Sequence, residues 1–194
     1  MSFIATTPAE DANGEVLAMY ERQRAHFGYL PNYARVFCHR PEVMTLWAEL
    51  QRGIRRHMDA RRFELVTVAA ARALGSSYCS LAHGATLAGM LSDDELAGVL
   101  DGSGATLSDA ERAMMDYAAR VAQDASSVTA EDVDELKASG LSDAEIFDIA
   151  AAAAGRAFFS KLVEGLGATP DAAYGALPEP LRAAFTVGRP IDGA

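Results

Sequence analysis

Cysteine is nearly absent from this sequence: 194 residues contain two, Cys38 and Cys79. That scarcity excludes a disulfide scaffold and a structural four-cysteine zinc site. Basic residues are also in short supply, 17 Lys and Arg against 27 Asp and Glu, for a formal net charge of −10. A field of that sign repels phosphate backbones and anionic lipid, so neither nucleic acid nor a membrane is an expected partner. Long apolar runs are missing as well. The nearest to one, "IFDIAAAAAGRAFF" over 146–159, is broken by Asp148 and Arg156 and is rich in alanine. Such a run suits close helix packing better than membrane spanning. The N-terminus lacks the basic start and apolar core of a signal peptide, which points to a cytoplasmic location. There, thiols stay reduced unless they are catalytic or redox-sensing. Strand signals are missing too: no β-branched run alternates with polar residues, and the Asn-Gly at Asn13 has no alternating flanks.

What is present is helical punctuation. Half the residues are apolar and 23% are charged, the profile of a globular chain. Capping-box patterns recur at Thr7/Glu10, Ser92/Glu95, Ser108/Glu111, Thr129/Asp132 and Ser142/Glu145. In three of them a leucine (Leu91, Leu107, Leu141) precedes the cap, placed to act as a hydrophobic staple. Between caps, apolar residues fall three and four apart, as in Met114, Tyr117, Ala118 and Val121. These signals predict helices near 8–27, 31–39, 41–57, 60–74, 77–90, 92–101, 108–123, 129–139 and 142–166. A looser tail with Pro170, Pro178, Pro180 and Pro190 follows, free to wrap a neighbour. The expectation is one all-α domain over 1–194, with its core at about 8–168 and a tail from 169 to 194.

The stretch "GSSYCSLAHGATL" (75–87) carries the chemistry. Gly75 ends one helix, Ser76 or Ser77 can cap the next, and Cys79 then falls in a first turn, where free amides and the helix dipole favour a thiolate. His83 lies one turn further on the same face. If 60–74 and 77–90 fold back on each other at Gly75, Glu64 comes opposite positions 83 to 87. The order Glu64, His83, Cys79 reads as an orienting acid, a proton carrier and a nucleophile.

With those residues in place, the chain resembles the alkylhydroperoxidase D-like, or carboxymuconolactone decarboxylase-like, family. Redox-active members of that family carry Glu, eleven residues, Cys, two residues, Cys, three residues, His. Glu64, Cys79 and His83 fall on the Glu, the second Cys and the His. The flanks "GYLPNYARVFCHRPEVMTLW" and "LSDAEIFDIAAAAAGRAFFSKLVEGLG" resemble the peroxidase-related branch, so the resemblance covers about residues 8–168. It implies a hydroperoxide-reducing enzyme in which the second cysteine attacks the peroxide and the first closes a disulfide. It also implies a homo-oligomer (a dimer, trimer or hexamer), with the Ala-rich 149–155 face suited to close contacts. Here Ser76 stands in the first-cysteine position and cannot resolve a sulfenic acid. Tyr78 stands where the best-known peroxidase branch has a relay histidine, and tyrosine is a poor base near neutral pH. The decarboxylase branch, without cysteine chemistry, is a less close match.

Other readings remain open at this level. Cys79 can be a buried structural thiol, His83 a satisfied histidine, and Glu64 a first-turn acid. Cys38 is either a distant resolving thiol or a packed one. Cys79 and His83 one turn apart can chelate, but nothing completes a ligand set, so no metal and no cofactor is expected. Phe37, Trp47, Phe158 and Phe159 are expected in the core, and His26 and His57 at the surface. The expected activity is a thiol-dependent peroxidase with an external thiol as reductant. The alternatives are acid/base chemistry by Glu64 and His83 on a small lactone or organic acid, and a non-catalytic oligomer that binds a ligand or partner.

Overall fold

The computed structural model describes residues 2–101 and 103–193; Met1, Gly102 and Ala194, which the expected domain 1–194 includes, lie outside the described residues. Ten α-helices and no strand occur among the described residues: α1 Gly14–Phe27, α2 Asn32–Val36, α3 Pro41–Arg55, α4 Ala60–Ala73, α5 Ser77–Ala88, α6 Asp93–Leu100, α7 Asp109–Asp124, α8 Ala130–Ala138, α9 Asp143–Gly165 and α10 Glu179–Phe185. The protein is all-α, as its periodicity requires.

Helix α4 is the axis. Its run Phe63–Ala71 is buried residue by residue, which happens only when a helix is covered on every side. It packs against α5, α7 and α9. Three apolar clusters meet on it. Phe63 and Val66 join Met114, Ala118, Ile149 and Ala153 of α7 and α9. Leu65 and Val68 join Leu81, Leu87, Val99 and Phe185. Ala71 reaches the third cluster, which holds Tyr20, Phe37, Trp47, Cys79 and Phe159.

Four of the five expected capping boxes close, at Ser92/Glu95, Ser108/Glu111, Thr129/Asp132 and Ser142/Glu145. The leucines before two of them, Leu107 and Leu141, are buried. The box at Thr7 does not form, and α1 begins at Gly14 rather than at residue 8. Gly14 sits at φ +52°, left-handed backbone through which a right-handed helix cannot run. Asn13, placed by the sequence inside that helix, is its N-cap instead. Thr7 is engaged elsewhere: its N–H donates to Cys38 Sγ at 3.3 Å and its carbonyl accepts the Tyr20 hydroxyl at 3.0 Å.

The tail also differs from expectation. Pro178 and Pro180 start a helix rather than prevent one, because a proline in the first turn forfeits no intrahelical bond. Helix α10 lays Leu181 and Phe185 onto its own chain, against α5 and α6. Gly84 makes room for Phe185; a Cβ there would stand 2.6 Å from the ring. Beyond α10 the Gly188 N–H donates to Ser77 Oγ at 2.7 Å. A Cβ on Gly188 would lie 2.0 Å from the Gly75 carbonyl oxygen, so only glycine allows this approach. The tail thereby locks the α4–α5 corner from which the site is built.

Candidate active site

Helices α4 and α5 fold back on each other at Gly75, whose φ of +65° makes the corner. This brings Glu64 of α4 against His83 of α5, with Glu64 Oε2 2.6 Å from His83 Nδ1. A carboxylate can only accept, so Nδ1 carries the ring proton and Nε2 is left with its lone pair. Nε2 makes no hydrogen bond among the described residues. Glu64 is 3% exposed at its side chain and His83 20%. Desolvation, then the nearby Arg156 charge, pushes the His83 pKa below its ordinary value of 6.5, against a smaller upward pull from Glu64. His83 is therefore neutral at pH 7, the form a base must start in.

Cys79, the third residue of α5, is 2% exposed. Its sulfur accepts a hydrogen bond from Arg156 Nη1 at 3.5 Å. A cation beside sulfur is the setting in which thiols react. Arg156 comes from the middle of α9 and is itself only 5% exposed. Its guanidinium carbon lies 5.5 Å from the Phe159 ring centroid and 5.9 Å from that of Trp47. Cys79, His83, Glu64 and Arg156 line one cavity of about 310 Å³, walled by Trp47, Phe159 and the tyrosines Tyr33 and Tyr78. It adjoins a wider vestibule lined by Arg52, Arg55 and Arg56 of the α3 end. A volume of this order suits a small organic molecule.

The other residues singled out in the sequence fall away from that chemistry. Ser76 is fully buried, and its hydroxyl donates to Glu164 Oε1 at 2.9 Å. It is the N-cap of α5 by position, yet its side chain makes no capping bond. Tyr78 donates to Asp171 Oδ2 and accepts the Tyr33 N–H at 3.3 Å, so its hydroxyl bonds are to neither Cys79 nor His83. Burial and the Asp171 charge push its pKa well above the usual tyrosine value. Cys38 is 8% exposed and does not line the cavity; both cysteines are free thiols. Phe158, expected in the core, is 47% exposed, while Phe159, Trp47 and Phe37 are buried. His26 is exposed, as expected, and forms part of the cavity mouth. His57 is exposed as well. No group of three or more His, Cys, Asp or Glu able to hold a metal ion occurs among the described residues.

Sequence reasoning missed Arg156 and Asp171. For Arg156 a signal existed. Ile149, Ala152, Arg156, Phe159 and Val163 recur at helical spacing, and that stripe is the buried face of α9. A charge on such a stripe is a candidate site residue. Asp171 offered no local pattern. It is 4% exposed and accepts the Tyr29 hydroxyl at 3.2 Å and the Asn32 N–H at 2.7 Å, pinning the post-α9 loop to the start of α2.

Residues 41–124, from the start of α3 to the end of α7, match the carboxymuconolactone decarboxylase family. Glu64, Cys79 and His83 fall inside the matched segment and Arg156 outside it. Among solved structures, the chain is similar to an uncharacterized peroxidase-related protein from Ralstonia eutropha JMP134 with an alkylhydroperoxidase AhpD core. The identity is 20% and the TM-score 0.71, over 97% of this chain and 98% of that one. A second uncharacterized peroxidase-related protein, from Silicibacter sp. TM1040, gives 20% identity and a TM-score of 0.76 over 90% and 94% of the two chains. The debrominase Bmp8, as a cysteine-to-alanine variant in complex with 2,3,4-tribromopyrrole, gives 19% and 0.68 over 91% and 97%. At these identities the likeness is one of fold. No curated protein matches the sequence. Residues 41–124 thus match the carboxymuconolactone decarboxylase family, and the chain shares its fold with peroxidase-related proteins that have an alkylhydroperoxidase AhpD core.

Proposed function

We propose that the protein is a thiol-dependent peroxidase with Cys79 as nucleophile, His83 as proton carrier and Glu64 as the group that orients it. The observation that carries this reading is the 2.6 Å hydrogen bond that His83 Nδ1 donates to Glu64, which leaves Nε2 as a base one helical turn from a thiol in the same cavity. His83 takes the Cys79 proton. The sulfur lone pair attacks the distal oxygen of a hydroperoxide; an S–O bond forms and the O–O bond breaks. The leaving alkoxide receives the proton from His83 and departs as an alcohol. Arg156 supplies positive charge beside the sulfur while negative charge moves across the site. Cys79 ends as a sulfenic acid, oxidised by two electrons. With Ser76 in the resolving position and Cys38 outside the cavity, reduction falls to an external thiol. One thiol displaces water from the sulfenic acid to give a mixed disulfide, and a second releases Cys79 as the external disulfide forms. That Bmp8 holds a small ring compound in the same fold fits a small-molecule substrate.

The test is consumption of an alkyl hydroperoxide with dithiothreitol as reductant, together with intact-mass detection of a trapped sulfenic acid. Wild-type protein should turn over and trap at Cys79, and Cys79→Ser should do neither. A folded wild-type protein that neither traps nor turns over removes the peroxidase reading.

A second reading has an observation of its own, the family match together with a Glu64–His83 pair complete without sulfur. Glu64 and His83 would then perform acid/base chemistry on a small lactone or organic acid, and activity would survive Cys79→Ser.

A further inference from the structure

Among the described residues, Arg156 is the only arginine that the fold both buries and leaves without a carboxylate partner. Arg61, more exposed, is held by Glu95 and Glu111 at 2.6 Å each, and Arg189 by Glu164 at 3.0 Å. Arg156 has no carboxylate within ion-pairing distance among the described residues, and its buried Nε has no hydrogen-bond partner. Its bond to Cys79 Sγ uses one Nη1 proton, and its guanidinium also lies against the Phe159 and Trp47 rings. A buried guanidinium in this state carries a desolvation cost that no carboxylate of the described residues offsets.

The surroundings point the same way. The protein carries a net charge of −10, yet the vestibule is lined by Arg52, Arg55, Arg56 and Arg156 and, among the described residues, by no acid. The inner cavity has one carboxylate, Glu64, already bonded to His83. Basic walls on an acidic molecule concentrate anions at that one opening.

We infer that the cavity takes a small organic carboxylate, its anionic end on Arg156 and its apolar body against Trp47 and Phe159. A planar carboxylate matches the paired N–H donors of a guanidinium. The two rings supply a flat apolar floor. On the peroxidase reading, on which this assignment of substrate class rests, the favoured hydroperoxides carry a carboxylate. The Arg156–Cys79 contact then sets the distance between that anchor and the attacking sulfur.

The chain has a single tryptophan, Trp47, so its fluorescence reports from the cavity wall. Cys79→Ser protein, which lacks the proposed nucleophile, is titrated with benzoate, with the neutral isostere benzamide and with inorganic phosphate. Benzoate should change Trp47 emission saturably and bind more tightly than benzamide by about tenfold or more, the scale of a charge-assisted hydrogen bond. Phosphate should compete poorly. Added Arg156→Gln should abolish the preference for benzoate, and Arg156→Lys should retain part of it, with folding checked by circular dichroism. Should Arg156→Gln fail to fold, the benzoate-to-benzamide comparison decides alone. Equal affinity for benzoate and benzamide, no response to benzoate, or phosphate binding as tightly as benzoate overturns the proposal. Because binding is read without turnover, a failed peroxidase assay leaves the carboxylate site standing. Turnover without charge discrimination sinks the carboxylate site alone.

Discussion

The two cysteines occupy two kinds of interior. Cys38, in the turn after α2, is 8% exposed and accepts one backbone N–H, that of Thr7. Cys79, 2% exposed, is even more deeply buried, yet it borders a cavity with a guanidinium at its sulfur and a histidine base one turn away. Both belong to the same apolar cluster. Burial therefore does not tell the two sulfurs apart. What separates them is open space on one side of the sulfur and charge on the other.

The largest expected effect breaks the comparison outright if it fails. Cys79→Ser should reduce hydroperoxide turnover to the rate of the uncatalysed reaction, while Cys38→Ser keeps turnover near wild type; a stopped assay with dithiothreitol as reductant reads both. If Cys38→Ser also abolished turnover, the two thiols would form a pair and the contrast between them would be wrong. Next comes the base. His83→Ala should lower kcat/KM by about 10²- to 10⁴-fold, the usual worth of a positioned proton carrier.

Glu64→Gln tests how the base is tuned. Three charged groups and burial act on His83: desolvation by the cavity and the Arg156 and Arg55 charges lower its pKa, while Glu64 raises it. Histidine NMR should find His83 titrating below 6.5, and lower still in Glu64→Gln, where only the downward influences remain. The sign for stability follows. The unfolded histidine binds a proton at higher pH than the folded one, so stability should fall as pH drops below about 6.5, until the folded ring protonates as well. A midpoint in urea that does not move over that window would remove the claimed shift. The smallest effect is on Cys38 itself. Replacing its sulfur by a hydroxyl should change unfolding stability by about 1 kcal/mol, measured from the denaturation midpoint, because the oxygen can still accept the Thr7 N–H.

Much of this was legible along the chain. Four capping boxes, three of them preceded by a leucine, marked helix starts, and the 64–83 register followed from a hairpin folded at Gly75. These are local signals: a cap is satisfied within four residues, and a helical hairpin places partners by counting turns. The same locality explains the errors. Thr7–Glu10 has the right letters for a cap, but Thr7 bonds to Cys38 and Tyr20, partners far away in sequence. The tail prolines read as breakers until Phe185 found the space left by Gly84.

By itself, then, the sequence determined the helical class, most helix starts, and the pairing of Glu64 and His83 on the α4–α5 corner, because each rests on contacts within one helix or between consecutive helices. Only the tertiary structure decided that Arg156 of α9 meets Cys79 of α5, 77 residues away. It alone turned Tyr78 toward Asp171, kept Cys38 out of the cavity, and gathered basic side chains around one opening of an acidic protein. Those outcomes depend on which helix faces pack together, and side chains brought together by packing leave no spacing in the chain to read.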